Sequence, residues 1–285
     1  VSVLEVITPL ILTYNESPNI SRVLRKLTWA KRIVVVDSYS TDDTLTILRE
    51  FPRVQVYQRE FDTFASQCNF GLRLISTDWA LSLDADYVLT EELIDELKAL
   101  NPQASINAYS AKFKYCIWGK PLRGTLYPPR KVLYRREHAY YEDDGHAHHV
   151  QVLGQSAWLS SYILHDDRKP MSRWLSSQDR YMIREVEKFR HASRPELSVG
   201  DKIRRRKALA PFIVLFYCLF VQRGILDGWA GWYYALQRML AEALLAIRLI
   251  EDEQFNSQTA CHATYPLPTA NLKKRNSALK DININ

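Results

Sequence analysis

The order of segments along this chain predicts an α/β fold built on a largely parallel sheet. Two apolar, β-prone runs, at residues 7–13 and 32–37, lack polar alternation, as strands covered on both faces require. After the first of them, Ile20, Val23, Leu24 and Leu27 recur at helical spacing. The links are short. Strand, helix, strand, helix with short links is the βαβ rhythm, for which right-handed crossovers are expected.

A polar turn at 14–19 separates the first strand from the first helix. The hydroxyl- and carboxylate-rich loop 38–44 then caps a helix over 44–50, and turn capping is the plain reading of Asp37 and Asp42. A short alternating strand at 54–57 and a helix over 64–74, carrying Gln67 and Asn69, lead to a strand at 79–83. That strand ends in Asp84 and Asp86, spaced i, i+2. Such hard oxygen ligands suit a divalent cation on a diphosphate, and strand ends are where α/β sheets bind ligands. An acidic turn is the plain alternative. No glycine-rich phosphate fingerprint follows either early strand, which disfavours a dinucleotide fold or a P-loop ATPase.

With 285 residues, 47% of them hydrophobic and 25% charged, the chain can bury a sizeable core and is not of the disordered class. A net charge of +6 suits anionic partners such as nucleotide diphosphates, acidic headgroups or nucleic acid. Nucleic-acid binding is disfavoured, because no aromatic-basic sheet pattern or known module is legible. Cys68, Cys116, Cys218 and Cys261 have no metal or disulfide spacing, which points to a reducing compartment. The apolar start carries no basic leader, so no signal peptide is expected.

ILTYNE at 11–16, VVVDSYSTDDT at 34–44 and SLDADYVL at 82–89 occur in that order, each at the end of a predicted strand. Together they resemble the nucleotide-sugar-binding half of the family-2 inverting glycosyltransferases. The resemblance implies the GT-A fold, an open twisted mixed sheet in an αβα sandwich. It also implies a UDP-sugar donor and Mn²⁺ or Mg²⁺ as cofactor. Carried over by position, Thr13 and Glu16 line the nucleotide pocket, Asp37 meets the base or ribose, and Gln67 joins the donor-binding set. Asp84 lies near the ribose or sugar, and Asp86 holds the metal on the diphosphate. For Glu16 the plain alternative is a solvated helix-start residue.

The resemblance places the acceptor site in the next stretch. A helix over 91–100 stops at Asn101-Pro102, a strand follows at 106–115, and 118–124 reads as a loop. Cations at 130–136 surround a short strand, where they hold a phosphate or acidic acceptor or simply form a solvated face. The densest polar stretch is 141–149. Inverting transfer needs one carboxylate to deprotonate the acceptor hydroxyl. Family members of similar layout show His-Glu here, whereas this chain has Gly-His-Ala-His, which leaves the base among Glu142, Asp143 and Asp144. Asp144, beside the permissive Gly145, is the first candidate and Asp143 the second. His146 and His148 are metal or phosphate ligands, or a hydrogen-bonded surface pair. A strand pattern over 152–164 ends at His165, which the resemblance places near the metal, with Arg168 and Lys169 as diphosphate neighbours. A helix over 172–190 is expected against the catalytic domain, with Trp174, Tyr181 and Val186 inward.

The expected organisation is a catalytic domain over 1–195, with a nucleotide half at 1–100 and an acceptor half at 101–170. A helical region at 196–255 and a polar tail at 256–285 follow. The cluster Lys202, Arg204, Arg205, Arg206 and Lys207 precedes the uncharged stretch 208–221. That stretch is short of the ~20 residues that span a bilayer. A helix lying in an anionic membrane surface fits it, and a buried helix or dimer face is the alternative. QRGILDGWAGW at 222–232, followed by a long Ala- and Leu-rich helix over 229–251, resembles the C-terminal region of lipopolysaccharide-core β-glucosyltransferases. The implied activity is inverting transfer of a hexose, such as glucose, to a saccharide or glycolipid acceptor in bacterial envelope synthesis. The implied location is cytoplasmic, on the inner membrane face. A retaining transferase and a non-catalytic sugar-nucleotide scaffold are the rival readings.

Overall fold

The computed structural model describes residues 3–142, 150–191 and 199–264. The first half runs β1 (Ile7–Thr13), α1 (Ile20–Arg25), β2 (Ile33–Asp37), α2 (Thr44–Arg49), β3 (Val54–Gln58) and α3 (Phe64–Arg73). It continues with β4 (Trp79–Asp84), β5 (Tyr87–Leu89) and α4 (Glu91–Ala99). Next come β6 (Ile106–Ile117), β7 (Lys120–Pro121), β8 (Arg130–Arg135), β9 (Ala139–Tyr141), β10 (Val150–Val152) and β11 (Gln155–His165). The helices α5 (Met171–His191), α6 (Val199–Arg204), α7 (Ala210–Phe216) and α8 (Trp229–Thr264) follow.

The main sheet is mixed, in the order β3-β2-β1-β4-β8-β6-β11-β5, with β7 paired to β6. β3, β2, β1 and β4 are parallel neighbours. β8 is antiparallel to both β4 and β6, and β6 is parallel to β11. Thr13, Asp37, Gln58, Asp84 and His165 therefore all end strands that point to one edge, the ligand edge of open α/β sheets. β8 begins at that same edge, with Arg130.

Alternation along the inner strands feeds two cores. Ile7, Ile11, Val35, Leu81 and Leu83 face α1, α2 and α4. Leu10, Val34, Val36 and Ala80 face α3 and the β9–β10 pair. Both faces are covered, as the unbroken apolar runs require. Burying each of the Ile, Leu and Val side chains contributes about 1.5–3 kcal/mol. β3, the sheet edge, is only partly buried.

C-terminal to the sheet, Cys218, Leu219, Ala230, Tyr234 and Ala235 pack on Ile117 at the end of β6 and Leu122 just after β7. Gly231, in the first turn of α8, lies so close to Gly224 that a Cβ on it would overlap the Gly224 carbonyl. An open mixed sheet with helices on both faces and a C-terminal helical addition matches the expected class.

Four details differ from expectation. Tyr181 is exposed, whereas Val186 is buried as expected and packs with Met182 and Phe189 against Leu245 and Leu249 of α8. The inward stripe is set by that helix partner rather than by the catalytic sheet. α8 continues to Thr264, beyond the expected helix end at 251. The strand pattern from 152 divides into β10 and β11 around Gly154, which sits at φ +103°. Within 118–124 the chain turns tightly at Trp118 and Gly119 and adds β7 to the sheet.

Candidate active site

Two polar clusters occupy the carboxyl edge. At the first, Asp37 is fully buried and its oxygens are engaged. The Thr13 hydroxyl donates to Oδ1 at 2.8 Å, the Ser40 hydroxyl to Oδ1 at 2.5 Å, and the Ser40 N–H to Oδ2 at 2.9 Å. The Gln67 amide donates to Ser38 Oγ at 2.9 Å and accepts from Arg59 at 2.8 Å. Asn15, at φ +56°, accepts from the Thr41 N–H at 2.6 Å and ties the loop after β1 to the loop after β2. Tyr39 is exposed at φ +57°. A bulky residue there costs about 1–3 kcal/mol and persists only where its surroundings over-determine it. Asp42 accepts from the Thr44 and Ser17 N–H groups, the capping role. Thr13, Asp37 and Gln67 are thus brought together as a frame under the loop.

The second cluster differs. Asp86 follows β4 in a tight turn and is buried. Its Oδ2 is 3.3 Å from His165 Nε2. Its Oδ1 is buried with no hydrogen-bond partner, as is His165 Nδ1. His165 lies edge-on to the rings of Tyr87, Tyr115 and Tyr127, with centroids 5.4, 4.7 and 4.4 Å away. The Tyr87 and Tyr127 hydroxyls bond each other. Burial disfavours the imidazolium, but Asp86, Asp84 and Asp167 outweigh it and hold the His165 pKa above the usual value.

Glu16 is not solvated. Its carboxylate lies 2.8 Å from the Lys169 ammonium, and burial pushes its pKa up to about 7, with Lys169 opposing and Asp86 adding to the rise. Lys169 is kept cationic: burial acts against its charge, but Glu16, Asp86 and Asp167 prevail. Asn19, fully buried, joins the elements. It donates to Glu16 at 3.0 Å and Asp167 at 2.8 Å, and accepts from Arg22 and the Arg168 N–H. Arg168, expected at the diphosphate, pairs with Asp166 at 2.8 Å.

Asp84 lines a cavity of about 330 Å³ with Ser82, Tyr87, Arg130, Tyr141 and Gln151. Glu142 is exposed at the end of β9. Asp143, Asp144, His146 and His148 lie outside the described residues. Sequence reading passed over Asn19, Tyr87, Tyr115 and Tyr127. Only the Asn19 position, in the polar turn after β1, carried a signal.

Among the described residues, no three His, Cys, Asp or Glu side chains gather as a self-sufficient metal site. The unpartnered Asp86 Oδ1 beside an imidazole fits an ion that takes its remaining ligands from a diphosphate and water.

Acidic and imidazole groups thus meet at the carboxyl edge of a mixed α/β sheet, the edge at which such folds bind ligands. The model of glycosyl transferase family 2 matches residues 9–152, just over half of the sequence, and the chain belongs to that family. An uncharacterized glycosyltransferase of Rickettsia conorii is 32% identical over 111 residues, 39% of this chain and 39% of that protein. The chain thus matches about two fifths of the length of that curated relative. The glycosyltransferase SunS of Bacillus subtilis is 35% identical over 85 residues, 29% of this chain and 20% of SunS. Among solved structures, residues 1–349 of S. aureus TarS with UDP-GlcNAc align at TM-score 0.45 and 17% identity, over 88% of this chain and 92% of that one.

Proposed function

We propose that this protein is a metal-dependent inverting glycosyltransferase that moves a hexose from a UDP-sugar to a saccharide or glycolipid acceptor. The observation that carries the reading is the buried, unpartnered Asp86 carboxylate oxygen beside His165, at the ligand edge of a family-2 chain. Asp86 and His165 hold Mn²⁺ or Mg²⁺. When bound, the ion offsets the charge of the leaving diphosphate. Lys169, cationic and close to Asp86, adds a fixed positive charge on the same side. Thr13, Asp37 and Gln67 hold the loop against which the nucleoside lies. Asp84 and Arg130 bound the cavity that takes the sugar.

Asp144 is the proposed base, with Asp143 second. It takes the acceptor hydroxyl proton as that oxygen bonds the anomeric carbon and the bond to UDP breaks on the opposite face. Support comes from Tyr141 and Val150, on either side of the 143–149 segment, which both line the Asp84 cavity. The QRGILDGWAGW segment supports a role in envelope polysaccharide or lipopolysaccharide synthesis.

The test is UDP release from a panel of UDP-sugars, with and without Mn²⁺, followed by NMR of the product anomer. Metal-dependent release with inversion is expected. A retained anomer would assign the retaining rival, and binding of UDP-sugar without turnover would leave a scaffold.

A further inference from the structure

The helical addition presents an apolar, aromatic face that the fold leaves uncovered among the described residues. Phe212 is 67% exposed, Phe216 61% and Trp229 56%. Phe216 and Phe220 stack at 4.7 Å. The turn at Gly224 closes against the Cys218 carbonyl, and Leu226 and Trp229, which follow it, are exposed as well. No described helix is long and apolar enough to cross a membrane. Exposed aromatic side chains gathered on one short segment of a folded protein mark a binding surface.

Charge selects the occupant. From 202 to 226 the chain carries Lys202, Arg204, Arg205, Arg206, Lys207 and Arg223 and no carboxylate. Arg204 and Lys207 pair with Glu242 and Glu253 of α8, while Lys202, Arg206 and Arg223 are exposed. A second copy docked by two-fold symmetry would set this cationic rim against itself. An anionic bilayer meets both demands at once, taking the aromatic rings at headgroup depth and the cations at its phosphates.

We infer that the face formed by α7, its following turn and Trp229 seats in the surface of an anionic membrane, on the side of the molecule that walls the active site. Trp118 stacks on Trp229 and Tyr233, with centroids 5.8 and 4.7 Å away. The next residue, Gly119, donates its N–H to Asp166 at 2.9 Å, and the Asp166 N–H donates to the Asp86 carbonyl at 3.0 Å. Two hydrogen bonds therefore separate the docking face from Asp86. An amphiphilic acceptor held in the same bilayer reaches the site along the membrane plane. That last link rests on the transfer reading above; the lipid contact does not.

The experiment is co-sedimentation of the full chain with phosphatidylglycerol-containing vesicles and with neutral phosphatidylcholine vesicles, alongside analytical ultracentrifugation. Wild type is expected to bind the anionic vesicles at least about tenfold more tightly than the neutral ones, and less tightly as salt rises. Phe212→Ser/Phe216→Ser/Phe220→Ser should lose about tenfold or more of that binding. Lys202→Glu/Arg206→Glu, which leaves the apolar face intact, should lose a similar amount and covers the case of a misfolded triple variant. Wild type that ignores anionic vesicles, variants that bind as well as wild type, or a stable dimer that the triple variant dissolves would each overturn the inference. Acceptor-independent UDP-sugar hydrolysis, assayed without lipid, reports on the transfer reading separately.

Discussion

Asp37 and Asp86 stand at the same sheet edge, and they differ in how their oxygens are used. Asp37 is fully buried and accepts hydrogen bonds from Thr13 and Ser40, with Gln58 within reach. Asp86 is nearly as buried, yet one of its oxygens meets no donor. A buried acceptor without a partner costs about 1–3 kcal/mol, so a fold that keeps one invites a ligand to satisfy it. The contrast teaches that a buried carboxylate at a ligand edge can serve the fold or the substrate, and that its hydrogen-bond partners tell which.

The largest expected effect breaks the pair at Asp86. Asp86→Asn should lower metal-supported transfer by about a thousandfold while the melting temperature stays near that of wild type. Chelation should cost wild type a comparable factor and the variant almost nothing more. Full transfer by the variant would erase the distinction.

Asp37→Ala should do the reverse. It strands the Thr13 and Ser40 donors and should lower unfolding free energy by about 3 kcal/mol in urea titration. A loss below about 0.5 kcal/mol would recast Asp37 as a ligand-facing group. The smallest change, Tyr127→Phe, removes the partner of the Tyr87 hydroxyl but leaves the rings around His165. A loss of about 1 kcal/mol with transfer within a few-fold is expected. A large fall in transfer at unchanged stability would put the hydroxyl itself in the site.

The strands that build the edge were legible because each is a continuous apolar run with a polar terminus. ITPLILT, IVVVD and WALSLD become β1, β2 and β4 within a residue of where the pattern ends. The pairing of Asp86 with His165 was anticipated only through the family resemblance, since 79 positions separate them and no local spacing links them. The tyrosines around His165 were not legible, because they come from β5, β6 and the segment before β8 and converge only once the sheet has formed. Asn19 bonds Asp167 from 148 residues away, and a polar turn gives no sign of such a partner. Val186 of the inward stripe of α5 is buried as expected, but Tyr181 is not, because the helix packs on α8 rather than on the sheet.

The Gly224–Gly231 contact acts at a distance. α8 has 36 residues, so at 1.5 Å per residue it is a rod of about 54 Å, and its base rests on that contact. A wedge no larger than one methyl group, tilting the axis by about 5°, would swing the far end through about 5 Å. Near the base, the Tyr234 hydroxyl accepts the Leu126 N–H at 2.9 Å and the Tyr234 ring meets Tyr115 at 5.0 Å. Further along, Leu245 and Leu249 carry α5. Two residues without side chains therefore set the aim of a lever whose near end touches the wall of the active site and whose middle carries a second helix.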